Sequence, residues 1–270
     1  MITFQSQKIS HAITRIIAPS EELIYLVEGS EKAALIDTGS GIGSLGRYVR
    51  SLTDKPLVVL LTHGHVDHAM GAGEFDFVYM NREDDYIYKS HADEKYRRDG
   101  LFLCTQADKM EEGDFLSPLP LECIRDMKEG DSFALGGITI EIYSCPGHTR
   151  GTLVMLIKEE RVLLLGDACN DLTFMHEDYS TTIEEYEESL KRLKPLVEGK
   201  YDRVLLSHGS GDGALDLIDG VMEVCSDIIN GNTDDVPFTF KDSEGFIAKA
   251  VDAMGARKDG EIGNIVFRKK

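Results

Sequence analysis

The sequence lacks the features that mark several classes of protein. Its first residues contain no basic segment followed by an apolar one, so we expect no secretory signal. No run approaches the roughly 18 apolar residues that a membrane-spanning helix needs. The five cysteines are widely spread and include no CxxC pair, a pattern typical of free thiols in a reducing cytosol. We therefore predict a cytoplasmic protein with no membrane partner.

Positive charge is also scarce. The 270 residues include 29 Lys and Arg against 48 Asp and Glu, which gives a formal net charge of −19. A surface this negative repels phosphate backbones, so we expect no nucleic-acid partner and instead a small-molecule substrate. Because no internal repeat or linker rich in Pro, Gly or Ser divides the chain, we predict one domain over residues 1–270. The oligomeric state cannot be read from the sequence.

The apolar pattern predicts strands in both halves of the chain, each cluster followed by helices. The predicted strands are 2–4, 13–17, 23–27, 33–36, 57–61, 138–143, 152–157, 161–165, 203–206 and 264–268. A helix is predicted over 42–52. Three more follow residue 180: one capped by Thr181 and Glu184 and ending at Pro195, one over 212–230 and one over 243–254. This arrangement favours an α/β sandwich of two sheets with helices outside.

Two segments lie outside this pattern. Residues 81–125 form an insertion that is either a lid over a binding site or a solvated decoration. Residues 213–270 form a C-terminal extension. We expect the walls of a substrate pocket to come from 81–125, from 170–179 and from the C-terminal segment.

The strongest chemical signal is the run from residue 62 to residue 68, THGHVDH. It follows the apolar run 57–61 directly, so it lies on the loop at the end of a strand. His63 and His65 are two residues apart, and an extended backbone therefore points both imidazoles to one side, while Asp67 and His68 can aim at a second point nearby. The loop has no cysteine, which disfavours a closed structural zinc site. The alternative interpretation is a polar loop of solvent-exposed histidines.

Three further side chains that can bind metal follow apolar runs in the same way: His148, Asp167 and His208. Each one alone could be a turn or surface residue. Ligands at the carboxyl ends of buried strands converge on one crevice, however. Together with the loop they provide five histidines and two carboxylates, enough for two adjacent divalent-metal sites with one carboxylate left to bridge them.

Other residues have weaker signals. Asp37 ends the apolar run 33–36 and could either brace the metal loop from behind or form an Asx turn. His176 follows the loop of Asp167 and could line the pocket. We assign His11 and His91 to the structure or the surface.

The loop and the three later residues resemble the metallo-β-lactamase superfamily, with the ligands in the order and at the spacing of that family. The resemblance spans roughly residues 10–215 and implies an αββα sandwich of two mixed β-sheets flanked by helices. It also implies two divalent metal ions, with zinc preferred and iron or manganese as the alternatives. The implied ligands are His63, His65 and His148 for the first metal, Asp67, His68 and His208 for the second, and Asp167 as the bridge.

Within the superfamily, the chain is similar to the glyoxalase II (hydroxyacylglutathione hydrolase) and lactonase branch. Flavodiiron proteins carry glutamate where this chain has His65, nucleases add a domain that the interval from Asp167 to His208 cannot hold, and many β-lactamases lack the bridging aspartate. The implied function is a binuclear hydrolase whose metal-bridging hydroxide cleaves an ester, thioester or lactone of a small molecule. Asp67 would orient the nucleophile or shuttle its proton.

Several alternatives remain open. The same metal pair could serve a phosphodiesterase or phosphorylcholine esterase, and a β-lactamase or a non-enzymatic metal-dependent sensor are further possibilities. Residues that bind substrate cannot be located from the sequence. Arg257, Lys258 and the run 268–270 are candidates for the glutathione-binding residues of the similar branch by charge alone.

Overall fold

The chain folds around two facing β-sheets, as seen in a computed structural model that describes residues 2–111, 113–240 and 243–269. The first sheet contains, in both chain and spatial order, β1 (Gln5–Lys8), β2 (Ile13–Ile17), β3 (Leu23–Glu28), β4 (Ala33–Ile36), β5 (Leu57–Leu60), β6 (Val78–Met80) and β7 (Arg125–Asp126). Strands β1 to β4 pair antiparallel, and β4 to β7 pair parallel. The sheet is therefore mixed.

The second sheet lies against the first. It contains β8 (Ser132–Ala134), β9 (Thr139–Ser144), β10 (Leu153–Ile157), β11 (Val162–Gly166), β13 (Arg203–Leu206) and β14 (Asp212–Gly213), in the spatial order β14-β13-β11-β10-β9-β8. Only the β11–β13 pair in this sheet is parallel. Because β11 and β13 run parallel, the residues that follow them leave the sheet at the same edge.

Helices cover the outer faces of both sheets. They are α1 (Leu45–Leu52), α2 (Val66–Ala69), α3 (Asp85–His91), α4 (Glu94–Asp99), α5 (Ile183–Val197) and α6 (Leu217–Asn230). Strand β11 is buried on both faces, which explains why its sequence is a continuous apolar run. Its Val162 and Leu164 pack against the first sheet, whereas Leu163 and Leu165 pack against α5 and α6. The predicted sandwich of two mixed sheets flanked by helices is confirmed.

In the described parts of the chain, no helix combines the length and the apolar composition that crossing a bilayer requires.

A third sheet corrects the prediction for the C-terminal segment. It contains β12 (Thr173–Met175), β15 (Val236–Phe240), β16 (Ser243–Ile247) and β17 (Ile265–Phe267), in the order β12-β17-β16-β15. The helix predicted over 243–254 is wrong, because residues 243–247 pair antiparallel with β15, and Phe246 and Ile247 pair with β17. Met254, the last residue of that predicted helix, is 90% exposed. Cross-strand pairing outweighed a weak helical spacing here.

Some predicted boundaries are also wrong. The first strand is Gln5–Lys8 rather than 2–4, since Ile2 instead packs into a small cluster with Ile42 and Cys104. Helix α6 begins at Leu217 rather than 212, because Asp212 lies in β14 and pairs with Leu205 of β13. Helix α5 continues past Pro195 to Val197, which is buried in the core.

The N-terminus of α5 lies one residue later than predicted. Thr181 is held by the hydrogen bond that its backbone N–H donates to the Gly147 carbonyl (2.9 Å). Thr182 is therefore the N-cap. Its Oγ1 accepts from the Glu185 N–H (3.2 Å), and the Glu185 carboxylate accepts from the Thr182 N–H (3.0 Å). The two bonds form a reciprocal capping box.

We predict that Thr182→Ala lowers the free energy of unfolding by about 1 kcal/mol, because the Glu185 N–H loses its acceptor at the start of α5. Urea denaturation followed by circular dichroism measures this change. Ser189→Ala is the matched control. Ser189 is partly buried in the middle of the same helix, and its hydroxyl donates to the Glu185 carbonyl one turn earlier (3.0 Å). Because that bond adds little to a helix interior, this variant should stay within about 0.5 kcal/mol of the wild type. Equal stability of the two variants would contradict the assignment of the cap.

Candidate metal centre

The residues singled out in the sequence lie on loops at one end of the sandwich. Each loop follows the carboxyl end of a strand, and the strands are β4, β5, β9, β11 and β13. The side chains that these loops carry are Asp37, His63, His65, Asp67, His68, His148, Asp167 and His208. Parallel pairing of β4 with β5 and of β11 with β13 brings the loops together at this edge.

One group of three imidazoles converges in the interior. The Nδ1 atom of His65 lies 3.0 Å from Nε2 of His63 and 2.9 Å from Nε2 of His148. All three side chains are buried. They form one of the clusters whose ligand atoms could hold a metal ion.

A second group lies beside the first. The Nε2 atom of His208 is 3.4 Å from Oδ2 of Asp67 and 3.3 Å from Nε2 of His68. These three residues form a further cluster with metal-binding geometry. The structure thus brings together the two sets of three that the family resemblance implies.

Asp167 lies between the two groups. Its Oδ2 atom is 3.6 Å from Nε2 of His148 in the first group, and it is 3.4 Å from His68 and 3.3 Å from His208 in the second. Its Oδ1 atom accepts a hydrogen bond from the Asn170 side chain (3.1 Å). One carboxylate oxygen is therefore held by the protein, and the other faces both groups.

The hydrogen bonds of the outer ring nitrogens indicate which inner nitrogens carry lone pairs. Thr62 donates its hydroxyl hydrogen to Asp37 (2.8 Å), so its oxygen accepts from Nδ1–H of His63 (3.0 Å). His68 donates from Nδ1 to Asp37 (2.9 Å), and His148 donates from Nδ1 to the Phe174 carbonyl (2.7 Å). With Nδ1 hydrogen-bonded in this way, the Nε2 atom of each of these three imidazoles is the nitrogen left to ligate a cation, the usual arrangement around metal-bound histidine.

Burial and neighbouring charges separate the pKa values of the cluster. Burial, with repulsion from neighbouring histidines, holds the pKa of His63 and of His65 well below the usual range. Burial opposes ionisation of Asp167, but attraction to His208 and His68 holds its pKa well below the usual range. Burial also opposes protonation of His208, yet the Asp167 carboxylate raises the pKa of His208 to about 9. Burial likewise opposes protonation of His68, but the carboxylates of Asp67, Asp167 and Asp37 raise its pKa well above the usual range. Without a cation, the carboxylates therefore hold protons on His68 and His208, and a divalent cation bound at this cluster would displace them.

Asp84 is a residue that the sequence reasoning missed. Its buried carboxylate joins the two loops that carry the first group. Oδ2 accepts from the Gly64 N–H (2.9 Å) and the Thr149 hydroxyl (2.7 Å), and Oδ1 accepts from the Gly151 N–H (2.7 Å). Its only sequence signal is an aspartate in a charged insertion, which does not distinguish it from its neighbours.

The loop of His208 is held in a similar way by a buried cation. Arg15 on β2 donates to the backbone carbonyls of Ser210 (2.9 Å) and Gly211 (2.7 Å) and pairs with Asp212 (2.8 Å). The Tyr25 hydroxyl donates to the Leu206 carbonyl directly before the loop. Residues of the first sheet thus fix a loop of the second.

A cavity of about 880 Å³ opens over the two groups. The expected wall segments all border it: 81–125 through residues such as Tyr86 and Leu103, 170–179 through residues such as Phe174, and the C-terminal segment through Phe240 and Arg268. Residues of the insertion therefore line this cavity. Arg257 pairs instead with Asp259, and Lys270 lies outside the described residues.

Histidines outside the cluster divide between the surface and the site. His11 is exposed, as expected. His91 is buried and borders the cavity, where its ring stacks on His65 at 4.9 Å and its Nδ1 accepts from the Val66 N–H (3.2 Å). Assigning His91 to the structure or surface thus overlooked its contact with the metal loop. His176 borders the cavity, as the sequence suggested.

Comparison with known sequences places this geometry in a family. The model of the metallo-beta-lactamase superfamily matches residues 19–208. Acyl-coenzyme A thioesterase MBLAC2 of Homo sapiens is 29% identical over 213 residues, which cover 71% of this chain and 74% of that protein. The Gallus gallus protein of the same name is 28% identical over 211 residues, covering 71% and 73%.

Solved structures share the fold at low sequence identity. A metallo-beta-lactamase from Pontibacter korlensis matches with a TM-score of 0.61 at 17% identity, over 83% of this chain and 99% of that chain. The metallo-beta-lactamase FIM-1 from Pseudomonas aeruginosa, solved in a mono-zinc form, matches with a TM-score of 0.61 at 14% identity, over 84% and 96%. At such identity the likeness extends to the fold alone.

We predict that Asp84→Asn weakens the affinity for divalent metal by about 10- to 100-fold, the usual cost of losing a group that supports metal ligands. Asparagine offers only one acceptor oxygen. Its NH₂ group must face either the Gly64 N–H and the Thr149 hydroxyl or the Gly151 N–H, and each of these groups is a hydrogen-bond donor in the wild type. Competition with a chromogenic chelator measures the affinity. Asp85→Asn, one residue along and partly exposed, is the control. Wild-type affinity in Asp84→Asn would show that this carboxylate does not position the ligands.

Proposed function

Since the chain belongs to the metallo-β-lactamase superfamily and is a hydrolase of that superfamily, we propose that it uses two divalent metal ions to cleave a thioester bond of a small molecule. Esters and lactones are related substrates that the same centre would accept. The observation that carries this proposal is the set of seven side chains that meet at the base of the cavity, with Asp167 facing both groups of three.

The residues present fit a pair of metal ions. Three lone-pair nitrogens on one side, two on the other and a shared carboxylate are a borderline-soft donor set that suits zinc, and iron or manganese would also be accepted. Metal ions bound there would supply Lewis-acid polarisation of the scissile carbonyl and of water. We propose zinc as the native metal.

We propose Asp67 as the residue that moves the proton. Both carboxylates border the cavity, but the side chain of Asp67 is 34% exposed and that of Asp167 is 9% exposed, so Asp67 is the more accessible of the two. A carboxylate at that position can orient a water molecule and accept its proton. Asp167, which Asn170 holds on its other oxygen, has the fixed position expected of a bridging ligand.

The preference for a thioester rests on the relatives and on the cavity. Two relatives that cover 71% of this chain carry the name acyl-coenzyme A thioesterase. The outer cavity presents apolar and aromatic side chains, among them Leu101, Leu103, Phe115 and Phe240, above a polar base. Such a site suits a small molecule with an apolar acyl group. The five free cysteines support a cytoplasmic location.

We predict that metal removal abolishes hydrolysis and that zinc restores it. The chain as purified is assayed on a thioester, a homoserine lactone, a β-lactam and a phosphodiester, before and after dialysis against a chelator. We expect the highest kcat/KM on the thioester. Turnover that survives complete metal removal would contradict the metal mechanism, and a phosphodiester as the best substrate would favour the phosphodiesterase alternative.

We predict that His208→Ala lowers kcat by roughly 100-fold or more and reduces bound metal from two ions per chain to one, because the second group loses a ligand nitrogen. Metal content is measured by elemental analysis alongside turnover and circular dichroism. His11→Ala, at an exposed position outside the cavity, is the matched control. Unchanged metal content in a folded His208→Ala protein would contradict the assignment of the second site.

A further inference from the structure

His176 is a buried polar side chain that the hydrolytic centre does not use. It follows β12 and is 3% exposed, yet it borders the cavity above the metal cluster. Neither of its ring nitrogens forms a hydrogen bond with any other described residue. Buried polar atoms are nearly always hydrogen-bonded in folded proteins, so an imidazole with two unsatisfied nitrogens calls for a partner from outside the chain.

The nearest charged group does not satisfy this imidazole. Oε1 of Glu177 is 3.5 Å from Nε2 of His176, without the geometry of a hydrogen bond. Two aromatic rings lie beside it, those of Phe174 and Phe238, each 5.6 Å from the His176 ring. A phenylalanine would fill such a position without any polar penalty, so packing alone does not account for a histidine.

His176 is also close to the reaction centre. The backbone carbonyl of Phe174 accepts the hydrogen bond from His148, and the ring of the same residue contacts His176. The ring of Phe174 further stacks at 6.1 Å on Phe240, at the mouth of the cavity. The rings of Phe174 and Phe240 therefore form one side of the cavity, the Phe174 wall, which extends to the metal cluster. His176 is a polar side chain beside this wall.

The imidazole offers one donor and one acceptor. Burial lowers the pKa of His176, so at neutral pH the ring carries one N–H and one lone pair. A secondary amide can pair with either nitrogen, its carbonyl accepting from the ring N–H or its own N–H donating to the ring lone pair, one bond at a time because the two ring nitrogens point apart. Its flat apolar faces can pack on aromatic rings. A simple alkyl chain would leave both nitrogens unpaired.

We propose that His176 and the Phe174 wall form a subsite that recognises an amide group in the thiol portion of the substrate. This inference rests on the proposed thioester hydrolysis and adds to it the chemistry of the leaving group. His176 thereby determines specificity and takes no part in the bond cleavage at the metal centre.

The test uses two thioesters of equal chain length, S-butyryl-N-acetylcysteamine and S-pentyl thiobutyrate, which differ in the amide. In His176→Phe we expect KM for the first to rise roughly 3- to 10-fold with kcat nearly unchanged, the range expected for a lost hydrogen bond, while both constants for the second stay at wild-type values. His176→Gln keeps a donor and an acceptor and should recover most of the loss. His11→Phe, at an exposed position, is the control.

Two further measurements separate a binding role from a structural one. Since no described residue bonds to His176, the Tm of His176→Phe should equal or exceed that of the wild type. The thioether S-butyl-N-acetylcysteamine, which cannot be hydrolysed, should shift the ¹⁵N resonances of the His176 ring in histidine-labelled protein. This measurement does not require turnover. If the shift occurs and neither thioester is cleaved, the proposed function fails and the subsite stands.

Two results would overturn the subsite. One is an equal change in KM for both thioesters in His176→Phe. The other is a His176 resonance that the thioether leaves unmoved.

Discussion

The buried carboxylate of Asp37 determines how the rest of the site is arranged. It accepts hydrogen bonds from the backbone and the hydroxyl of Thr62 and from Nδ1 of His68. Through Thr62 it also fixes the proton on Nδ1 of His63. One carboxylate at the end of β4 thus directs the lone pairs of two histidines toward one point, and both groups of candidate ligands depend on it. Asp37 adopts a positive φ of 65°, which aspartate tolerates better than most residues.

Such a cluster has a cost that the surrounding layers must offset. Packing several imidazoles and two carboxylates into one buried volume removes hydration and places like groups side by side, which holds the pKa of His63 well below its usual range. The pKa of Asp167 is held low against the same loss of hydration by attraction to His208 and His68. The loops that carry these groups are held by further buried charges, Asp84 on one side and Arg15 on the other. A bound divalent cation would give the nitrogen lone pairs and the carboxylates a positively charged partner.

The features that depend on local sequence patterns could be predicted, and those that depend on contacts between residues far apart in the chain could not. The strand ends with their histidines are local patterns, so the two sheets and the seven clustered residues could be read from them. Asp84 could not, because it acts across distances of 20 to 67 residues along the chain, and nothing in its neighbourhood marks it. The strand at Ser243–Ile247 was missed for the same reason, since its identity depends on pairing with β15 and β17. His91 and His176 gain their significance from the cavity they border, which forms only once distant segments are packed together.

The central claim is that Asp167 and the two groups around it hold a pair of metal ions. Anomalous X-ray diffraction from crystals of the chain as purified, with data collected on both sides of the zinc absorption edge, tests it most directly. The account predicts two anomalous peaks per chain, one among His63, His65 and His148 and the other among Asp67, His68 and His208, with Asp167 between them. A single peak, or none at these residues, would contradict it.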